Sequence, residues 1–237
     1  MSVTFHPAGD LAVLVELDGD VGDALSTRLR ALEMLVADNL PAVREVVPAF
    51  RSLLVYYDPL AIGHAALLES ITDLESRAAT VELPEPRLVE LPCCYSDPEL
   101  GFELEGAAHR LGLSTSELIE LHSGAEYLVY FIGFAPGQPY LTGTPGRLVI
   151  PRLDTPRTST PPGSVAIGGT QSCIYSVESP GGFWVLGRTP VPIYDRASSE
   201  PILLRPGDRL RFRAIERDEF DAIAAAVERH AYAPRIS

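Results

Sequence analysis

Residues 126–141 read EYLVYFIGFAPGQPYL, and residues 156–172 read PRTSTPPGSVAIGGTQS. Between Tyr127 and Ile132 every position is apolar, so both faces of a strand there are covered, the mark of a central buried strand. Gly and Pro then break the apolar pattern twice before Leu141. These two residues weaken sheet interiors, so a chain that only builds a core avoids them there. The backbone is bent around something.

Working outward, further short apolar runs follow at 148–151, 164–167, 173–177, 183–188 and 209–215. Arg205-Pro206-Gly207-Asp208 has the chemistry of a turn, with Pro at its first central position and Gly at its second. In RLRFRAI (209–215) Leu210, Phe212 and Ala214 alternate with three arginines, and the spacing predicts the arginines facing solvent. Many short strands separated by turns favour a closed β-barrel. Two short helices precede it, near 103–111 and 115–122. Ser114 and Glu117 form a capping box for the second, which carries Leu118 and His122 four apart on one side. A helix near 217–230 follows the last strand.

The first third alternates differently. LAVLVEL (11–17) reads as a strand. Asp20 is placed to cap a helix bearing Val21, Leu25, Leu29, Leu32 and Val36. Strands at 43–47 and 52–57 and a helix with Leu67, Leu68, Ile71 and Leu74 follow, and a run at 88–91 is expected to complete the sheet. This order describes a small α+β sandwich of the ferredoxin-like kind. The acidic, proline-bearing VELPEPR (81–87) is the linker candidate, giving domains at 1–85 and 86–237.

With 237 residues, 46% hydrophobic and 22% charged, the chain has a globular composition and length for one or two domains. A formal charge of −13 argues against nucleic acid and anionic membranes as partners. The N-terminus lacks the cationic start of a signal peptide, and no apolar run approaches spanning length. The three cysteines form no disulfide ladder and no metal pair, which fits a reducing cytoplasm. All 19 basic residues are Arg. Without lysine there is no Walker A loop, no Schiff base and no kinase strand lysine. Phosphate or carboxylate would be handled by Arg and backbone amides.

Residues 127–195 hold ten of the 19 Gly and ten of the 21 Pro. Their four arginines (147, 152, 157, 188) outnumber Asp154, Glu178 and Asp195, so this segment is net +1 in an acidic chain. Two readings fit: an anion site focused by the barrel loops, or rigid loops with ordinary surface arginines.

GFAPGQPYL (133–141), PRLDTPRTSTPPGSVAIGGTQSCIYSVESPGG (151–182), GRTPVPIYD (187–195) and PGDRLRF (206–212) together resemble one family. It is known as the B component of 5-oxoprolinase, as allophanate hydrolase subunit 1 and as sporulation-kinase inhibitor. VVPAFRSLLVYYDP (46–59) extends the resemblance over nearly the whole chain. The resemblance implies a ferredoxin-like first domain and a cyclophilin-like β-barrel second domain. It also implies a partner of the type of the 5-oxoprolinase C component (allophanate hydrolase subunit 2), with the A component possibly joining. Such complexes open the 5-oxoproline lactam to glutamate with ATP consumed. Three departures stand out: Gln138 replaces an aromatic, CYSDPELGFEL (94–104) lacks the family's Gly pair and Pro-Asp, and Cys173 and Ser176 stand where Gly and Pro are common.

Single residues carry two readings each. His122 is either a helix-end or core histidine, or, given its family position near the glycine-rich loop, an acid/base group. Arg152, Arg157 and Arg188 are surface ion pairs or the forks that hold a carboxylate or phosphate. Asp195 pairs with Arg188 or acts as a base. Gly163, Ser164, Gly169 and Gln171 make tight barrel turns or offer N–H groups to a developing oxyanion. Tyr140 and Tyr175 line a pocket or the core, and Cys173 lacks a His partner for nucleophilic work. No metal site is expected. The preferred reading is one component of an amide- or lactam-hydrolysing enzyme, with His122, Arg152, Arg188 and Asp195 catalytic, and Tyr140, Arg157 and the turn residues binding substrate at one mouth of the barrel. The rival is a protein inhibitor docking on a histidine kinase; prolyl isomerase activity rests on fold analogy alone.

Overall fold

The computed structural model describes residues 3–237 and divides into two compact units, Met1–Glu85 and Pro86–Ser237. In the first, β1 (Val3–Pro7), β2 (Ala12–Leu17), β3 (Val43–Pro48) and β4 (Ser52–Tyr57) form an antiparallel sheet in the order β1-β2-β4-β3. Helices α1 (Asp23–Asn39) and α2 (His64–Arg77) supply Leu29, Leu32, Val36, Leu67 and Ile71 to the core, against Val13, Val15, Leu17, Leu53 and Val55. The helix-period and strand-period patterns thus bury one face each. Arg28 of α1 donates from Nε to Glu75 Oε1 of α2 at 2.7 Å.

Two expectations fail here. The run at 88–91 is not the closing strand of this sheet; the edge beside β2 is taken by β1 from the N-terminal side. Asp20 is not the helix cap either: α1 begins after Gly22 with no side-chain cap, and Val21 is exposed.

The second unit is mostly β. Its strands are β5 (Leu88–Cys94), β6 (Glu126–Ile132), β7 (Pro139–Thr142), β8 (Arg157–Thr160), β9 (Ser164–Gly168), β10 (Gln171–Ile174), β11 (Ser179–Gly181), β12 (Trp184–Arg188), β13 (Arg209–Ile215) and β14 (Arg235–Ile236). Seven of them, in the order β12-β9-β10-β7-β6-β13-β5, close into a barrel through the pairing of Arg188 with Cys94. β14 adds to the free part of β5, and β8 and β11 pair separately as a two-stranded ribbon. β6 lies between β7 and β13, as its unbroken apolar run requires.

Helices α3 (Leu104–Leu111), α4 (Thr115–Ser123) and α5 (Arg217–Glu228) pack on this barrel. The α4 capping box is formed: Ser114 Oγ accepts from Glu117 N, and Glu117 Oε2 accepts from Ser114 N. The 205–208 turn closes through Asp208 N donating to Arg205 O at 3.0 Å, with Gly207 at φ 94°. In β13, Leu210 and Phe212 point inward as expected, but Ala214 is exposed and Ile215 is buried. The run at 148–151 is a 3-10 turn (Gly146–Leu148) followed by a single bridge from Ile150 to Gly169 rather than a strand.

Candidate active site

Strand alternation sorts the barrel residues onto two faces. Leu141, Val165, Ile167, Ile174 and Leu186 belong to the barrel core. Their neighbours Ala166, Cys173, Tyr175 and Val185 belong, with Phe183, to a second apolar cluster. That second cluster is the outer wall of the barrel. Tyr140 sits on the same wall, paired in register with Cys173.

A cavity of about 290 Å³ opens on this wall, lined among others by Phe134, Gln138, Tyr140, Arg152, Cys173 and Phe183. That is the size of a small-ligand pocket. Its floor is close-packed. A Cβ on Gly168 would lie 2.7 Å from the Phe183 ring, and one on Gly181 would lie 2.0 Å from Tyr175 Oη. Both positions therefore require glycine for the rings to lie where they do. Phe134 stands at the rim at 67% exposure with φ 67°, a left-handed backbone that is costly for a non-glycine residue. The turn is pinned on both sides of it: Gly133 N donates to Gln138 O, and Gln138 N donates to Ala135 O.

Arg152 lies with its guanidinium carbon 4.8 Å from the centre of the Phe183 ring. It makes no ion pair among the described residues, and its charge is left to the cavity. Arg157 is different. Its guanidinium meets Glu103 Oε1 at 2.5 Å and donates to Phe183 O at 2.7 Å, and Glu103 Oε2 accepts from Val185 N at 2.7 Å. Arg157 is a buckle fastening β8 to β12, its donors committed to the fold. Burial pushes the Cys173 thiol well above its ordinary range, which removes the thiolate a nucleophile needs. Burial also raises Tyr140, with nearby Arg152 partly opposing.

The remaining sequence candidates lie elsewhere. His122 is fully buried, its Nδ1 2.8 Å from Tyr95 Oη and its Nε2 3.3 Å from Ser172 Oγ. Because Ser172 Oγ donates to Ala166 O, it accepts from His122, which assigns the proton to Nε2 and leaves Nδ1 to accept from Tyr95. Burial holds this imidazole down to about 3, so it is neutral at any physiological pH and sealed from solvent. Arg188 borders a separate cavity of about 640 Å³ with Gly163, Ser176 and Tyr194, and its Nε donates to Pro162 O. Burial lowers its pKa. Asp195 is exposed beside a third cavity, and its Oδ1 accepts from Ala197 N rather than from Arg188.

Three of the turn amides are occupied: Gly163 N donates to Tyr175 O, Gly169 N to Ile150 O and Ser164 N to Pro161 O, so these three are not free for an oxyanion. Among the described residues, the Oε1 of Gln171 and the Oγ of Ser164 are buried and have no hydrogen-bond partner. The expected gathering of arginines at one barrel mouth is thus corrected: Arg152 and Tyr140 share the outer-wall cavity, Arg157 braces it, and Arg188, Gly163 and Asp195 lie at other cavities. Phe134 and Phe183 were not singled out by sequence; the glycines flanking each were the available signal.

The family model described as "Carboxyltransferase domain, subdomain C and D" matches residues 3–204. The chain belongs to this carboxyltransferase-domain family. It is 39% identical to the B component of 5-oxoprolinase from Escherichia coli O157:H7, over 86% of this chain and 92% of that protein. It is 35% identical to the same component from Bacillus subtilis (strain 168), over 90% of this chain and 93% of that one. Among solved structures, the K. lactis urea amidolyase superposes with a TM-score of 0.81 at 24% identity, covering 99% of this chain and 16% of that one; this likeness concerns the fold. The carboxyltransferase-domain barrel is therefore shared with chains of very different length. Among the described residues, no group of three or more His, Cys, Asp or Glu is placed to hold a metal ion, and no helix is long and apolar enough to cross a membrane.

Proposed function

We propose that this chain is the B component of an ATP-dependent hydrolase that opens a small lactam or amide carrying a carboxylate, with 5-oxoproline the first substrate to try. The observation that carries the reading is the 35–39% identity to two proteins named as this component of 5-oxoprolinase, over nine-tenths of each. The outer-wall cavity supports it. A guanidinium without a carboxylate partner among the described residues, set against an aromatic wall, suits a small organic anion. Arg152 holds the carboxylate, Phe183 and Tyr140 flank the ring, and a partner protein of the second carboxyltransferase type completes the site. ATP is consumed by the complex to activate the amide carbonyl. Proton transfer falls to groups outside the His122 site, which is sealed.

Reconstitution tests this. The purified chain is combined with its carboxyltransferase-type partner and a protein of the A-component type, and glutamate is measured from 5-oxoproline with ATP present. Glutamate formation that requires all three proteins is expected. Turnover that persists when this chain is left out would overturn the proposal.

A further inference from the structure

Gln138 is only 3% exposed, its side chain lines the outer-wall cavity, and its Oε1 accepts no hydrogen bond from any of the described residues. A buried amide oxygen without a donor carries a desolvation penalty that an apolar residue of similar size would avoid. The turn itself is held by backbone bonds, Gly133 N donating to Gln138 O and Gln138 N to Ala135 O. The same turn carries the unfavourable backbone of Phe134. A buried polar group lining the cavity without a protein partner, beside a guanidinium with no carboxylate among the described residues, is a recognition element waiting for its complement.

We propose that Gln138 is a specificity-determining residue whose carboxamide pairs with the cis-amide edge of a small lactam acid while Arg152 takes the acid's carboxylate. A primary carboxamide presents an acceptor and a donor side by side. A lactam, whose ring locks the amide cis, presents N–H and C=O on one edge in the complementary order. An ester ring of the same shape lacks the N–H and leaves Oε1 orphaned, and a site built to hydrogen-bond a group rejects the analogue lacking it. This assignment rests on the functional reading above and narrows it to cyclic amides.

The test uses the reconstituted complex without ATP and calorimetric titration of two probes, 5-oxoproline and its lactone isostere, 5-oxotetrahydrofuran-2-carboxylate. The wild-type complex should prefer the lactam at least 10-fold. Gln138→Leu should bring the two within about threefold without weakening the lactone, and Gln138→Met, which also lacks the acceptor, should behave likewise. Arg152→Ala should weaken both probes together and leave their ratio unchanged. A Gln138→Leu complex that keeps the 10-fold preference would overturn the assignment while leaving the functional reading intact. Failure of the wild-type complex to bind either ring would overturn both.

Discussion

The two faces of the same barrel strands are built to opposite rules. On the inner face the polar groups form a finished chain: Tyr95 to His122 to Ser172 to Ala166, each donor with its acceptor. On the outer face Arg152 has an aromatic ring but no carboxylate among the described residues, and Gln138 Oε1 has no donor. Ser172 and Cys173, adjacent in sequence, fall on different sides of this divide. The contrast teaches that saturation marks structure, and that unmet capacity is informative where it lines a cavity, as at Arg152 and Gln138. A buried histidine with two partners is a strut, and a guanidinium with none of opposite charge is an invitation.

Substituting the strut should produce the largest effect. His122→Leu takes the acceptor from the Tyr95 hydroxyl, while Ser172 keeps its bond to Ala166 O, and should cost about 1–3 kcal/mol in urea denaturation, with turnover per folded complex unchanged. Lost turnover in a complex of full stability would move His122 to the other side of the comparison. The same residue sets a pH dependence. Its folded value of about 3 lies below the ordinary 6.5, so the unfolded chain binds the proton first as pH falls. This stabilising contribution is complete above about pH 6.5 and is lost at about 1.4 kcal/mol per pH unit on the way down towards 3. The urea midpoint of the wild type should fall as the pH drops below 6.5, and His122→Leu should lack that component. Equal slopes in the two proteins would refute it.

On the outer face, Arg152→Ala should lower kcat/KM for the lactam acid by roughly 10- to 100-fold, the loss of one charge-assisted contact, while the thermal midpoint stays put. Arg188→Ala, at the separate cavity, should leave the KM for the acid unchanged, and parity between the two variants would erase the distinction between the cavities. The smallest effect is expected at Cys173. Because its thiol is buried and held protonated, Cys173→Ala should keep turnover within about threefold. Abolished turnover with the fold retained would make it a reacting group after all.

Much of this architecture is legible from spacing. The apolar run of β6, the Ser114–Glu117 box and the Pro206-Gly207 turn each rest on neighbours within a few residues, and each forms as expected. What fails depends on distant partners. Nothing local tells that Leu88–Cys94 joins β13 in parallel instead of closing the first sheet, or that β1 takes that edge. The site is half visible for the same reason. Arg152 and Tyr140 stand out as residue types, but whether an arginine is spent on a carboxylate, as Arg157 is on Glu103 54 residues away, is decided by the folded chain. Gln138 is an odd residue in its motif; only the geometry makes it an acceptor without a donor.

The most direct test of the two-faced barrel is a crystal structure of the reconstituted complex soaked with 5-oxoproline. The ring should lie against Phe183 and Tyr140 with its carboxylate on the Arg152 guanidinium. Density for it beside Arg188, or at an opening to the His122 interior, would contradict the account.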